Sequence, residues 1–187
     1  MSYRFHRVAC AALLVSSVIA PPITARASGE RSAKNSIFVE GLGAGVAYSV
    51  NYERLVLNDL GVRAGLSYMS FSASVGDASA SSSMLLIPLT ANYIGISSGS
   101  HALEIGAGPT LFYGSGSASS MGINTEGSGM SALGTVALGY RLQPTDGGFQ
   151  FRAGVNGLFG PGMSFSQKDP TSWGIIPWGY LSLGGTF

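Results

Sequence analysis

From residue 36 onward the chain falls into segments of about ten residues in which apolar and polar positions alternate, separated by stretches rich in Gly, Ser, Asn, Asp and Pro. Alternation with period two is the mark of a β-strand with one apolar face, and the separating residues are those that turns require. Segment 101–113 is the clearest: Leu103, Ile105, Ala107, Pro109, Leu111 and Tyr113 share one face, and Glu104, Gly106, Gly108, Thr110 and Phe112 the other. Segments 47–56, 61–70, 132–142 and 148–157 repeat the pattern, 36–43 and 84–94 carry it less cleanly, and the last segment, 176–187, ends at the chain terminus with Leu181, Leu183 and Phe187 on one face. Eight strands are therefore predicted.

The connections alternate in length. Short links are expected at 57–60, 95–100 and 143–147, and longer loops at 71–83, 114–129 and 158–175, with the first hairpin, around Gly43-Ala44-Gly45-Val46, an exception. Short turns at one end and long loops at the other are the habit of membrane barrels, whose short turns lie in the periplasm. A soluble β-sandwich shares the strand spacing but exposes its polar face, which should then be rich in Lys, Glu and Thr. Here that face holds mainly Gly, Ser, Asn and a few charges, which suits a narrow interior. The fold class expected is all-β: an eight-stranded antiparallel up-and-down transmembrane β-barrel over residues 36–187.

Composition agrees with that choice. Charged residues are 10% of the 187 residues, where soluble domains average about 25%. Beyond the N-terminus no apolar run approaches the roughly 20 residues of a spanning helix, so a membrane chain of this kind must cross with strands. The N-terminus itself reads as a secretory signal over 1–27: Arg4, His6 and Arg7, an apolar run from Val8 to Ala20, then Pro21-Pro22 and Ala25-Arg26-Ala27. A short N-terminal segment, 28–35, would follow. Cys10 lies inside the signal, so the chain from Ser28 has no cysteine for a disulfide, a thiolate metal site or a nucleophile. That part carries seven basic and nine acidic residues, a formal charge of −2. Nothing in it forms a basic face for nucleic acid.

If the faces are assigned correctly, Glu40, Glu53, Glu104, Arg63, Arg141 and Arg152 point into the lumen. Three acids and three bases in a narrow interior read as an ion-pair network that fills it, because an unpaired charge there is costly. Phe38, Leu86 and Phe112 also face inward, too few to line an apolar conduit. Tyr52, Tyr68, Tyr93, Tyr113, Tyr140, Trp173 and Trp178 are candidates for aromatic girdles at the two membrane interfaces. His101 is the single histidine after the signal and lies beside a short turn, far from the loop serines, so a serine–histidine nucleophile is not assembled. No ligand spacing for a metal and no cofactor site is found. Loops 71–83 and 114–129, mainly Ser, Ala and Gly, are expected to lack regular structure, and the aromatic-bearing loop 158–175 is the candidate contact for an external ligand.

The final segment, Gly179-Tyr180-Leu181-Ser182-Leu183-Gly184-Gly185-Thr186-Phe187, resembles the C-terminal strand of bacterial outer-membrane proteins, which ends in an aromatic residue preceded by alternating apolar ones. The resemblance implies that Leu181, Leu183 and Phe187 form the signal read by the barrel-assembly machinery. Gly179 and Gly185 depart from it, standing where larger apolar residues are common. Residues 36–187 resemble the small outer-membrane β-barrel domain family through Tyr48-Ser49-Val50-Asn51-Tyr52-Glu53-Arg54, Gly61-Val62-Arg63-Ala64-Gly65, Leu103-Glu104-Ile105-Gly106-Ala107-Gly108 and Gly139-Tyr140-Arg141-Leu142-Gln143-Pro144. That resemblance implies an exported protein embedded in outer-membrane lipid. The function expected is structural or interactive, with a lumen plugged by side chains and no catalysis. A small pore or transporter of small solutes is the alternative, and a lipid-modifying barrel enzyme the third.

Overall fold

The computed structural model describes residues 31–120, 123–161 and 173–187; the signal reading for 1–27 lies outside them. Eight antiparallel strands close into one barrel in sequence order: β1 (Asn35–Leu42), β2 (Tyr48–Leu55), β3 (Leu60–Val75), β4 (Ala78–Ser98), β5 (His101–Ser120), β6 (Ile123–Leu142), β7 (Gly148–Pro161) and β8 (Trp173–Thr186). Closure runs through the pairing of β1 with β8, from Ser36↔Thr186 to Leu42↔Tyr180, so the barrel body has no free edge. The predicted up-and-down barrel is the observed fold.

Alternation decides the two surfaces. Leu66 and Leu183, facing out, are 54% and 50% exposed, whereas Arg141 and Arg152, facing in, are fully enclosed. On β5 the outward apolar run from Leu103 to Tyr113 spans about 33 Å of strand. At the tilt such barrels adopt, this makes an apolar band about 25 Å tall, the height of a hydrocarbon layer in the outer membrane. Tyrosines mark its two margins. Tyr52, Tyr93 and Tyr140 stand outward near the short-turn end, and Tyr48, Tyr68, Tyr113 and Trp173 outward near the other. Trp178 departs from the expectation: it shares the phase of Tyr180 and Ser182 and turns inward, where its indole N–H donates to the Gly43 carbonyl at 2.9 Å.

The predicted loops 71–83 and 114–129 are corrected. β3 and β4 stay paired from Ser70↔Ser83 to Val75↔Ala78 and turn through Gly76-Asp77 alone, with Gly76 at φ 58°. β5 and β6 stay paired out to Ser120↔Ile123. The link 95–100 likewise shrinks to Gly99-Ser100, since β4 runs on to Ser98. The ends of the expected loop 158–175 are strand, with Phe159↔Ile175 and Pro161↔Trp173 paired, and its middle, 162–172, lies outside the described residues. Serine and alanine offer little hydrophobic contrast, so composition signalled loop where cross-strand pairing builds sheet.

Candidate functional site: ion pairs inside the barrel and a sheet beyond its mouth

The six charged residues singled out in the sequence meet inside the barrel. Each sits on the inward phase of its strand: Glu40 on β1, Glu53 on β2, Arg63 on β3, Glu104 on β5, Arg141 on β6 and Arg152 on β7. Glu53 pairs with Arg141 at 2.5 Å and with Arg152 at 3.0 Å; Glu104 pairs with the same two arginines at 3.4 and 3.2 Å. Two carboxylates thus share two guanidiniums in a closed quartet. Arg63 grips Glu40 with both terminal nitrogens, at 3.1 and 3.3 Å. The Phe38 ring joins the two groups, with the Arg152 guanidinium 4.0 Å and that of Arg63 5.6 Å from its centroid.

Neutral amides complete the floor. Asn92 donates to Glu53 at 2.7 Å. The Gln150 amide, oriented with its oxygen toward the arginines, accepts from Arg141 and Arg152 at 2.9 to 3.1 Å. Asn92 and Gln150 share the strand phase of the charged residues, and that phase alone could have drawn attention to them.

On the side of the long hairpins the floor is roofed by apolar side chains. Met69, Leu86 and Leu158 are buried, and the inward-facing Phe112, Leu133 and Trp178 are partly so. This layer is richer than the three inward apolar residues read from the sequence. The β1–β2 connection closes it further. Its single 3-10 turn, Gly43–Gly45, is wholly buried and folds into the mouth instead of standing clear of it. Ser67 Oγ donates to the Gly45 carbonyl at 3.0 Å, and Trp178 holds Gly43. A Cβ on Gly43 would collide with the Glu40 carboxylate, so this position needs glycine for close approach as well as for its φ of 69°.

The opposite end is crossed by a strap that sequence reading passed over. Residues 31–34 run from β2 to the β6–β7 turn: Leu55 N–H donates to the Lys34 carbonyl (2.8 Å) and Ala33 N–H to that of Thr145 (3.1 Å). Ser32 Oγ bonds the Asp146 carboxylate at 3.0 Å, and the buried Arg31 donates to the Gln143 carbonyl at 3.2 Å. Beside it a register shift between Tyr93 and Ile96 lets Ile94 turn in against Leu55 and Ala102.

The remaining sequence candidates lie elsewhere. Leu181, Leu183 and Phe187 are outward and exposed, and Phe187 exchanges both backbone hydrogen bonds with Asn35 at 2.9 Å. His101 is outward at the short-turn end, its Nδ1 2.5 Å from the Tyr140 hydroxyl.

Above the mouth, β3 to β6 continue as a four-stranded sheet while their neighbours stop. β2 pairs with β3 only as far as Val50↔Leu66, and β7 with β6 only as far as Gly134↔Phe159. One face of this sheet is an array of serines, with Ser81–Ser117 and Ser83–Ser115 hydroxyl contacts at 2.9 and 2.8 Å. The other continues the lumen wall with Met69, Phe71, Ala73 and Val75 on β3.

No family model matches the chain, and no curated protein does. Among solved structures it is similar to the attachment invasion locus protein Ail of Yersinia pestis in complex with the heparin analogue sucrose octasulfate, at 13% identity over 82% of this chain and 97% of that one, TM-score 0.50. The fold is that of the small bacterial outer-membrane barrels. The N-terminal β-barrel domain of Pseudomonas aeruginosa OprF (14% identity, 86% of this chain and 100% of that one, TM-score 0.44) and Neisserial surface protein A (16%, 82% and 92%, TM-score 0.41) are also found.

Proposed function

We propose that the chain is an exported, integral outer-membrane barrel with a closed lumen, serving a structural or interaction role through the sheet it holds outside the cell. The observation that carries this reading is the inverted distribution of side chains: an exposed apolar band limited by tyrosines, wrapped around buried ion pairs. In water such a surface would aggregate, whereas in a bilayer it is solvated. Outer-membrane lipid is then the first partner. Residues 1–27 act as the cleaved export signal, and Leu181, Leu183 and Phe187 present the terminal strand to the barrel-assembly machinery. The short-turn end faces the periplasm and the four-stranded sheet faces outward.

Three alternatives fit the geometry less well. A pore requires a path, and the lumen is crossed by the strap, the ionic floor, the apolar layer and the buried turn. A serine–histidine enzyme requires the two groups together, and His101 stands at the opposite end from the outer serines. Ail is described with a sulfated heparin analogue, but the described residues of the outer sheet carry Asp77 and Glu126 and no basic residue, so polyanion binding is not carried over.

The test is to express the full chain with its N-terminal segment, isolate outer membranes and run the protein on a detergent gel with and without boiling. Recovery in that fraction with a heat-dependent mobility shift supports the reading. A soluble periplasmic protein without a shift overturns it.

A further inference from the structure

We propose that the free edge of β3, residues 69–75, is a docking site for an extended polypeptide strand supplied from outside the cell, which adds to the outer sheet as a fifth strand. The proposal rests on the outward orientation given above.

Among the described residues the edge has no partner. β3 continues past its last β2 partner at Leu66 to Val75, and among the described residues nothing pairs with this stretch on that side. Which backbone groups are free follows from one bond: Tyr48, on β2, donates its hydroxyl to the Tyr68 carbonyl at 2.6 Å, so the N–H and C=O of Tyr68 point toward β2. Direction repeats every second residue along a strand. Ser70, Ser72 and Ser74 therefore direct three donors and three acceptors into the vacant lane, while Met69, Phe71, Ala73 and Val75 bond to β4.

Natural edges are usually blunted by charge, proline or a bulge. Met69-Ser70-Phe71-Ser72-Ala73-Ser74-Val75 has none of these, and Phe71 and Val75 are 59% and 82% exposed. The other edge without a partner among the described residues, on β6, is less suited: it carries Glu126 and the glycines at 127 and 129.

The surroundings specify the occupant. A second copy embedded in the same membrane is excluded by position, because the lane beside β3 lies directly above β2 and the Leu42–Ala47 turn of the same barrel. A barrel carrying the added strand would have to stand where β2 already is. Among the described residues a peptide strand meets no such obstacle. Its side chains would alternate, small and polar beside Ser70, Ser72 and Ser74, apolar beside Phe71, Ala73 and Val75. The charges described on this sheet, Asp77 and Glu126, are both acidic, so a neutral or basic segment is favoured. Main-chain bonds would supply affinity and alternate side chains the selectivity.

The experiment uses the full chain folded in detergent and a fluorescent peptide copying residues 78–86, the sequence that already pairs with β3 from its other side, with a lysine at each end. Fluorescence anisotropy should show saturable binding. Ser72→Pro removes an edge-side N–H that takes no part in the β3–β4 ladder and should weaken binding about tenfold or more, while Ser72→Ala, which keeps the backbone, should not. A peptide N-methylated at alternate residues should fail to bind.

No saturable binding, equal binding by the proline variant, equal binding of the methylated peptide, or an equal loss in Ser72→Ala would each overturn strand addition. So would Ser72→Cys cross-linking between copies within the membrane, which would make the occupant a second chain. Labelling Ser72→Cys on intact cells with an impermeant maleimide separates the two readings. Labelling without peptide binding refutes the docking site alone, and failure to label refutes the outward orientation on which it rests.

Discussion

At the scale of single residues, the lumen is governed by what a buried charge costs when its partner is removed. Arg152 bonds both Glu53 and Glu104 and stacks on Phe38, so Arg152→Met leaves the two carboxylates to share Arg141 alone. Breaking a buried pair from one side costs about 3–5 kcal/mol, whereas removing both charges can be close to neutral. The single variant should lower the unfolding free energy read from urea titration by that amount, and Arg152→Met with Glu104→Gln should recover most of it. An unchanged midpoint in the single variant would mean that water, not Arg152, neutralises the acids. The backbone stores the opposite opportunity. Leu42 (φ 62°, ψ −136°) and Val46 (φ 68°, ψ −73°) adopt conformations that side chains resist, and Ala47 N–H to Gly45 carbonyl, 3.0 Å, closes Val46 into a γ-turn of the strained hand. Each such position costs about 1–3 kcal/mol, offset in a glycine variant by roughly 0.5–1 kcal/mol of extra chain entropy. Leu42→Gly and Val46→Gly should therefore raise the unfolding midpoint slightly. A fall in both would show that the side chains, not the strain, dominate. Neither strain nor the strap at Arg31 could be read from sequence: Leu42 and Val46 look like ordinary strand residues, and Arg31 acquires its role only from Gln143, far away in the chain.

Strands were legible in the sequence where the two faces differ in chemistry. Leu103 to Tyr113 announces itself because one phase must meet lipid and the other a packed interior, and the same contrast placed all six lumen charges on the inward side. Contrast fades above the membrane, where both faces meet water. There β3 keeps the alternation to Val75, but its partner residues 78–83 and the 114–129 stretch are mainly Gly, Ala and Ser, and Gly116↔Gly127 is held by pairing with a distant strand that no local pattern encodes. Trp178 was misplaced for a related reason: an aromatic near a strand end fits a girdle by composition, yet its phase, shared with Tyr180, turns it to Gly43. If the outer sheet contributes little to the barrel beneath it, it can be excised. Joining Ser70 to Ser83 and Ser115 to Ser128 through two-residue Asn-Gly turns should keep the heat shift and leave the unfolding free energy from urea titration within about 1 kcal/mol of the parent, since few apolar groups are buried there. A collapse of barrel stability would mean that the long hairpins nucleate or brace the wall below. It would also weaken the view that the sheet exists to meet something else.

For the whole molecule, the question is how many barriers stand between the two ends. The strap at residues 31–34 lies across one mouth, the quartet of Glu53, Glu104, Arg141 and Arg152 sits in the middle, and Leu86, Leu158 and the Gly43–Gly45 turn are buried toward the other. Eight strands enclose an interior about wide enough for side chains alone, so on the closed-lumen reading proposed above these layers act in series. Current through a series of closed barriers depends on all of them. Removing the strap's anchor by Arg31→Ala should therefore leave planar-bilayer conductance at baseline. Replacing Glu53, Glu104, Arg141 and Arg152 together by alanine, which keeps the formal charge balanced, should still give no steady current while the outer turn remains seated on Ser67 and Trp178. Only when Ser67→Ala, Trp178→Phe, Leu86→Ala and Leu158→Ala are added to both changes should small, steady channels emerge. A steady current from the unaltered protein, or from Arg31→Ala alone, would show that the middle layers conduct, and the chain would have to be read as a pore. The ordering of these three results, and not the size of any one current, distinguishes a filled scaffold from a gated channel, because a gate is one barrier whose removal is enough.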